Sequence, residues 1–149
     1  TQLGLGSKVF FLGRKSNPYQ YLKLASVLAL SSKYEGTPNV IVEAIACGIP
    51  VVSSSCTEGL PELMSQSVLK KEGKVFLTES GIITPTFFDN SLSLPDNDNF
   101  IPEEQVFAEA LATVISDRKY IENLHINRAG LLDKYNIEKV AMSYLNRNN

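Results

Sequence analysis

The chain has 149 residues, of which 44% are hydrophobic and 20% charged, and its formal net charge is −2. This composition is typical of a globular protein of one domain, and it does not indicate a basic nucleic-acid-binding surface. No apolar run reaches the ~18 residues that a membrane span requires. Cys47 and Cys56 are predicted to be free structural thiols in a reducing, cytoplasmic compartment, and with the lone His125 they make no convincing metal site.

The first part of the chain is predicted to form a strand, a loop and a short helix. Residues 9–12 are apolar and are expected to form a short buried strand, followed by a polar loop over residues 13–18. Pro18 suits the first turn of a helix, because its missing N–H group has no partner there in any case. The side chains expected to pack inward from this helix are Tyr21, Leu22, Leu24 and Ala25.

A strand, a helix and a second strand are predicted next. Residues 27–30 and 49–54 are apolar and rich in branched side chains, which is typical of buried strands in a parallel sheet. Asn39–Cys47, between them, repeats its apolar residues at helical spacing. Pro38 suits the first helical turn, and Thr37 is the expected N-cap. The fold class predicted from this pattern is α/β, with a Rossmann-like parallel sheet and flanking helices.

The loop before this helix is a candidate binding site. In an open parallel sheet, ligands bind at the carboxyl ends of the strands, and residues 35–39 follow such an end. Free N–H groups in the first helical turn, together with the helix dipole, favour a phosphate or diphosphate there. Glu43 lies farther along the helix among apolar residues, where a carboxylate without a partner is unfavourable.

The remainder of the chain is predicted to add a short helix, two short strands and three or four further helices. Pro61 and Glu62 suit the start of the short helix. The strands are predicted over residues 75–77 and 82–84, the second of which is the last parallel strand, and residues 87–102 are interpreted as a loop. Helices are predicted over residues 103–115 and 137–145, and one or two helices are predicted over residues 118–132.

The sequence EGTPNVIVE, which runs from Glu35 to Glu43, resembles the Glu-x7-Glu motif of the group 1 (family 4) retaining glycosyltransferases with the GT-B fold. The flanking sequences agree with that family, namely Phe11-Leu12-Gly13, ALSS at residues 29–32 and EAIACGIPVVSS at residues 43–54. The resemblance is strong from about Val9 to Glu62 and weaker beyond. It implies a C-terminal domain that binds a nucleotide-sugar donor.

The resemblance assigns roles to individual residues. Glu35 would be the catalytic carboxylate that holds the transferred sugar, and Glu43 would accept hydrogen bonds from the ribose diol. The other substrate-binding residues would be Leu12, Gly13 and Arg14 at the base, and Gly36, Thr37, Pro38, Asn39 and Val40 at the diphosphate. Three alternatives stay open: Glu35 as a solvated loop residue, Glu43 paired within the protein, and Arg14 as a solvated cation.

The resemblance also implies that the family's first βα units, a basic Arg/Lys pair and the acceptor domain are missing. We therefore expect residues 1–149 to be a fragment with one nucleotide-sugar-binding domain and no turnover of its own. The GT-B domain would be incomplete, which leaves open self-association of the fragment through exposed sheet edges.

No cofactor or metal is expected, because helix amides and cations can stabilise a departing diphosphate. Asp96-Asn97-Asp98 is interpreted as a turn. The implied reaction transfers a hexose or N-acetylhexosamine, with a UDP-sugar favoured as donor, to a glycan or lipid-linked acceptor in cell-surface polysaccharide synthesis. Peripheral association with the cytoplasmic face of the membrane would occur through the missing domain. The alternatives are a non-catalytic nucleotide- or sugar-binding module and an unrelated doubly wound domain.

Overall fold

A computed structural model of the chain describes residues 4–67, 69–87 and 100–145. Most of the predicted loop over residues 87–102, including Asp96-Asn97-Asp98, lies outside these ranges. The helices in the described ranges are α1 (Tyr19–Leu22), α2 (Asn39–Cys47), α3 (Leu60–Met64), α4 (Pro102–Ser116), α5 (Lys119–Asp133) and α6 (Ile137–Leu145). The strands are β1 (Leu28–Leu30), β2 (Val51–Ser54), β3 (Lys70–Glu72), β4 (Val75–Thr78) and β5 (Gly81–Thr84). Within the described ranges no helix has both the length and the apolar character needed to cross a membrane.

The five strands form one sheet in the order β1-β2-β5-β4-β3. β1, β2 and β5 run parallel, with Ala29 beside Val52 and Val52 beside Ile82. β4 and β3 are antiparallel additions at one edge, because only two residues connect β4 to β5 and so short a connection reverses the chain. The predicted parallel strands are confirmed, and the sheet as a whole is mixed.

Helices cover both faces of the sheet. Val51 and Val52 are fully buried on opposite faces, as expected for successive residues of a strand. The cluster around Val51 contains buried side chains of α2, α3 and α5. The cluster around Val52 contains Phe107 and other buried residues of α4. The predicted α/β class, with a Rossmann-like sheet between helices, is confirmed.

Two glycines have backbone conformations that the fold requires. Gly48, at φ 77°, ends α2 in the left-handed backbone region, where glycine is common because it has no Cβ atom. Gly81, at φ 146°, begins β5 directly beside β2. A Cβ atom on Gly81 would lie 1.8 Å from the carbonyl oxygen of Val51, so only glycine permits this close approach of the two strands.

The predicted strand over residues 9–12 is wrong. Phe10 and Phe11 are 75% and 93% exposed, and these residues have no helix or strand assignment. A strand needs the N–H and C=O groups of a neighbour, and no described strand lies beside this segment. An apolar run alone therefore does not make a buried strand here.

Two smaller expectations near α1 and α2 also need correction. Tyr21 and Leu24 are predicted to pack inward, but they are 39% and 87% exposed, since α1 has only four residues and buries none of them. Ala25 does pack against the core. Thr37 is not the N-cap of α2. Pro38 occupies that position, and no side chain there caps a helical N–H group.

Candidate functional site

The loop between β1 and α2 is attached to the carboxyl end of β2. The buried hydroxyl of Ser54, the last residue of β2, lies 2.6 Å from the carbonyl oxygen of Ser32 and 3.3 Å from that of Leu30. Such bonds satisfy carbonyl groups that leave the strand ladder at this point. The loop that carries the Glu-x7-Glu motif is therefore anchored on the parallel part of the sheet, as the sequence predicted.

Glu35 is exposed on this loop, and both its backbone and its side chain are held. Its N–H group donates to the carbonyl oxygen of Cys56 at 3.0 Å, which joins it to the loop that follows β2. The hydroxyl of Ser32 donates to the Glu35 Oε1 atom at 2.7 Å. The second carboxylate oxygen has no hydrogen bond within the described residues, so it can accept one from a ligand.

The start of α2 has fewer free N–H groups for a ligand than the sequence predicts. The N–H group of Asn39 donates to the carbonyl oxygen of Thr37 at 2.9 Å, and that of Ile41 donates to Pro38 at 3.0 Å. Asn39 is therefore not a free amide donor. The N–H groups of Thr37 and Val40 have no hydrogen bond to another described residue. They are available, with the α2 dipole behind them, for an anion.

Glu43 lies one turn into α2 and is half-buried. The helix buries Ile41, Ala44 and Ile45 against the sheet, so Glu43 borders the apolar face of α2. Within the described part of the chain its carboxylate has no hydrogen bond and no ion pair. Its predicted role with the ribose diol stays a prediction.

A cavity of about 310 Å³, here called the first cavity, lies where the loops after β1, β2 and β5 meet. This position corresponds to the carboxyl edge of the parallel strands, where α/β proteins bind ligands. Burial raises the pKa of the Cys56 thiol above its usual value, so this cysteine stays a neutral wall residue. The lining residues are Lys33, Tyr34, Ser55, Cys56, Thr57, Glu58 and Thr86.

A second cavity of about 200 Å³ adjoins the first. Thr57 lines both cavities, and its hydroxyl donates to the carbonyl oxygen of Gly36 at 3.2 Å. Tyr135, from the turn between α5 and α6, forms part of its wall. The complete lining is Gly36, Thr37, Thr57, Gly59, Glu62, Leu63 and Tyr135.

The predicted site residues are brought together only in part. Gly36, Thr37, Pro38, Asn39 and Val40 follow Glu35 on the same loop and helix start, as their order in the chain requires. The residues predicted at the base, Leu12, Gly13 and Arg14, are exposed and lie outside the helices and strands. No hydrogen bond between described residues joins those three to the β1–α2 loop, and their role stays a prediction.

Sequence reasoning missed Thr57 and Tyr135, since the signal for each comes from tertiary contacts and not from a local motif. It also gave no role to Ser32, although a serine three residues before Glu35 is close enough in the chain to hydrogen-bond its carboxylate. Within the described ranges, no three side chains of the types His, Cys, Asp and Glu lie close enough together to hold a metal ion.

Comparisons with known proteins identify the family of the chain. The family model described as "Glycosyl transferases group 1" matches residues 1–80, which include both cavity-lining loops after β1 and β2. The chain therefore belongs to the group 1 glycosyl transferases. The resemblance based on the Glu35-to-Glu43 motif is confirmed at the level of the family.

Two relatives extend the similarity to most of the chain, and a third matches a shorter part of it. An uncharacterised glycosyltransferase of Methanocaldococcus jannaschii is 28% identical over 146 residues, which are 96% of this chain and 36% of that protein. The N-acetylgalactosamine-N,N'-diacetylbacillosaminyl-diphospho-undecaprenol 4-alpha-N-acetylgalactosaminyltransferase of Campylobacter jejuni is 29% identical over 147 residues, 97% of this chain and 33% of that protein. A lipopolysaccharide 1,6-galactosyltransferase of Salmonella typhimurium is 37% identical over 62 residues, 39% of this chain and 17% of that protein. The chain spans about a third of the length of the first two relatives.

Proposed function

We propose that this chain forms the donor-binding part of a retaining glycosyltransferase. The donor is a nucleotide-diphosphate sugar, with a UDP-sugar favoured. The enzyme transfers a hexose or N-acetylhexosamine to a glycan or lipid-linked acceptor in cell-surface polysaccharide synthesis. The observation that carries the proposal is the hydrogen bond that the Glu35 carboxylate accepts from Ser32, on a loop that continues into the free amides of Thr37 and Val40.

The charges of this site suit the departure of a diphosphate. Negative charge develops on the leaving group during transfer, and the N–H groups of Thr37 and Val40 stabilise it from the amino end of α2. The Glu35 carboxylate accepts hydrogen bonds from sugar hydroxyls, which holds the ring with its anomeric carbon open on one face. Glu43 accepts hydrogen bonds from the ribose diol. In the proposed retaining reaction, the departing phosphate assists the incoming hydroxyl on that same face.

Two names among the relatives support the choice of substrates. The Campylobacter jejuni protein is named for N-acetylgalactosamine transfer onto a diphospho-undecaprenol-linked sugar, and the Salmonella typhimurium protein for galactose transfer in lipopolysaccharide. The first name describes transfer of an N-acetylhexosamine to a lipid-linked sugar, and the second describes transfer of a hexose in lipopolysaccharide. We extend this to a site of action at the cytoplasmic face of the membrane, where nucleotide sugars would meet a lipid-linked acceptor.

The proposal also includes independence from metal ions and cofactors. Amides and the helix dipole take the role that a divalent cation has in other phosphoryl sites. Calorimetry of the chain with UDP in EDTA, and again with Mn²⁺, measures this directly. We expect the same Kd under both conditions, and UDP binding that requires Mn²⁺ would contradict the proposed diphosphate site.

The central experiment is calorimetric titration of the chain with UDP, GDP and UDP-N-acetylgalactosamine. We expect UDP and its sugar to bind more tightly than GDP, and no product to form from the nucleotide sugar with the 149-residue chain alone. Failure of all three nucleotides to bind would contradict the proposed function. Preferential binding of GDP would contradict the UDP-sugar assignment while leaving the donor-binding role in place.

A further inference from the structure

A third cavity, of about 180 Å³, lies between α4 and the antiparallel part of the sheet, on the same face as Val52. α4 packs over β2 and β5, whereas Val75 and Leu77 of β4 remain half-buried beside it. The cavity thus occurs where the antiparallel strands extend past the helix. It shares no lining residue with the first or the second cavity.

The walls of the third cavity are mostly aliphatic. β4 and β5 supply Val75, Leu77 and Ile82, and α4 supplies Val106 and Ala110. An apolar cavity of about 150 Å³ can hold one benzene molecule, so a volume of about 180 Å³ suits a ligand of about six non-hydrogen atoms. A short alkyl chain matches both the size and the apolar character of these walls.

Tyr120, in the first turn of α5, brings an unpaired hydroxyl to this cavity. The residue lines the cavity and is only 5% exposed. Its hydroxyl has no hydrogen bond within the described residues, and no fully inaccessible polar side-chain atom of those residues lacks one. The hydroxyl therefore reaches accessible space. Burial raises the pKa of this hydroxyl, which stays neutral and can accept a hydrogen bond through its lone pairs.

The charged groups around the third cavity favour a cation. Two carboxylates, those of Glu72 and Glu109, line it, and no lysine or arginine does. Lys70 is paired with Glu72 at 2.7 Å, and Lys119 is paired with Asp117 at 2.8 Å. The Glu109 carboxylate has no ion pair and no hydrogen bond within the described ranges. An anion would be repelled here, whereas a cation would find a carboxylate that the chain leaves unpaired.

We propose that the third cavity binds a primary alkylammonium ion. The ammonium group donates to the Glu109 carboxylate, with the Tyr120 hydroxyl as a second acceptor, and the alkyl chain packs against the aliphatic walls. An ammonium group has N–H donors and no acceptor, which matches two unpaired groups that can both accept. The inference does not rest on the proposed glycosyltransferase function, because the donor loop contributes nothing to this cavity.

The experiment is an NMR titration of the chain with methyl-, n-propyl- and n-pentylammonium chloride at constant ionic strength. Burial of each additional methylene group should lower Kd by about two- to fourfold. n-Pentanol has the same chain without the charge and should bind about threefold or more weakly than n-pentylammonium, and n-pentanoate more weakly still. A Kd that does not depend on chain length would show attraction to surface charge only and would overturn the site.

Two substitutions test the polar end of the site. Glu109→Gln should weaken n-pentylammonium by about threefold or more and leave n-pentanol within about twofold. Tyr120→Phe removes only the hydroxyl and should weaken n-pentylammonium by about two- to tenfold. Glu122→Gln, at an exposed position of α5, is the matched control and should change nothing.

Equal binding of n-pentylammonium by Glu109→Gln and the unsubstituted chain would overturn the proposal, as would its failure to bind at all. Glu109 is an exposed helical residue, so Glu109→Gln should fold normally, which circular dichroism checks. Saturating UDP should leave the Kd for n-pentylammonium unchanged, since the two ligands would contact different residues.

Discussion

The Ser32 hydroxyl lies 2.7 Å from the Glu35 Oε1 atom and donates a hydrogen bond to it across one turn of the β1–α2 loop. The carbonyl oxygen of Ser32 lies in turn 2.6 Å from the hydroxyl of Ser54, which is fully buried at the end of β2. The orientation of an exposed carboxylate is therefore coupled to the buried part of the sheet through two serines. The position of the exposed Glu35 carboxylate thus depends on a hydrogen bond made by a buried serine.

Ser32→Ala tests whether this hydrogen bond positions Glu35. Loss of one hydrogen bond at an exposed site costs about 0.5–1.5 kcal/mol, which is roughly two- to tenfold in affinity. We expect that loss for UDP-N-acetylgalactosamine and none for UDP, because Glu35 is proposed to contact the sugar. Calorimetry with both ligands checks this, and Ser31→Ala on the same loop is the control. A loss of UDP affinity in Ser32→Ala would mean that the serine supports the nucleotide.

The central β1–α2–β2 unit could be predicted from sequence because each of its signals is local. The bounds of α2, Asn39–Cys47, agree with the prediction, since Pro38 and Gly48 mark its two ends with fixed backbone preferences. β3 was not predicted, because all three of its residues are polar or charged and exposed. Its pairing with β4 follows from the turn at Gly73, where φ is 57°, and not from apolar patterning.

The candidate site could be predicted only as far as its motif extends. Glu35 and the start of α2 are contiguous in sequence, so their proximity needs no tertiary information. Tyr135 lines the same cavity as Gly36 and Thr37 although it lies about a hundred residues away in sequence, next to Lys134, which donates to the carbonyl oxygen of Glu62. The strand predicted around Phe10 and Phe11 is wrong for the opposite reason. Strong local hydrophobicity predicts a strand there, but no strand in the described part of the chain lies beside it.

Gly81→Ala should be among the most destabilising small substitutions in the sheet. The new Cβ would lie 1.8 Å from the Val51 carbonyl oxygen, and backbone atoms cannot move aside as a flexible side chain can. We expect a loss of at least about 3 kcal/mol in the free energy of unfolding, or no folded protein. Urea denaturation measures the loss.

Gly59→Ala is the matched control for Gly81→Ala. Gly59 has a helical φ of −76° and nothing within 4 Å of an added Cβ. Its substitution should be neutral or should stabilise by about 0.4–1 kcal/mol, through a less flexible unfolded chain. Similar effects of the two substitutions would show that β2 and β5 are not in the contact described.

Glu79 should make stability sensitive to acid. Burial raises the pKa of this carboxyl group, but hydrogen bonds from the Ser65 hydroxyl at 2.5 Å and the Ser67 hydroxyl at 2.6 Å outweigh it, and the pKa lies below the usual 4.5. The folded state thus favours the charged form. The stability that the Glu79 carboxylate contributes to the fold is fully present above its unfolded-state pKa. This stability is lost as the pH falls through the lower folded-state pKa.

Glu79→Gln tests this dependence by urea denaturation at about pH 7 and about pH 3.5. The unsubstituted chain should lose more stability between these two values than Glu79→Gln does. Glu122→Gln, at an exposed position on α5, should keep the full dependence. If the unsubstituted chain and Glu79→Gln lose the same stability between the two pH values, the acid sensitivity comes from other carboxylates.

Glu35 and Glu43 should bind different parts of the donor. Glu43→Gln should weaken UDP itself, because its proposed partner, the ribose diol, is present with or without the sugar. Loss of a charged hydrogen bond at a half-buried position costs about 1.5–3 kcal/mol, or roughly ten- to a hundredfold in Kd. Glu35→Gln should leave UDP affinity nearly unchanged and weaken only UDP-N-acetylgalactosamine. Calorimetry with both ligands separates the two effects once circular dichroism shows that each variant is folded. Equal losses of UDP affinity would place Glu35 at the nucleotide, and normal UDP binding by Glu43→Gln would remove Glu43 from the ribose site.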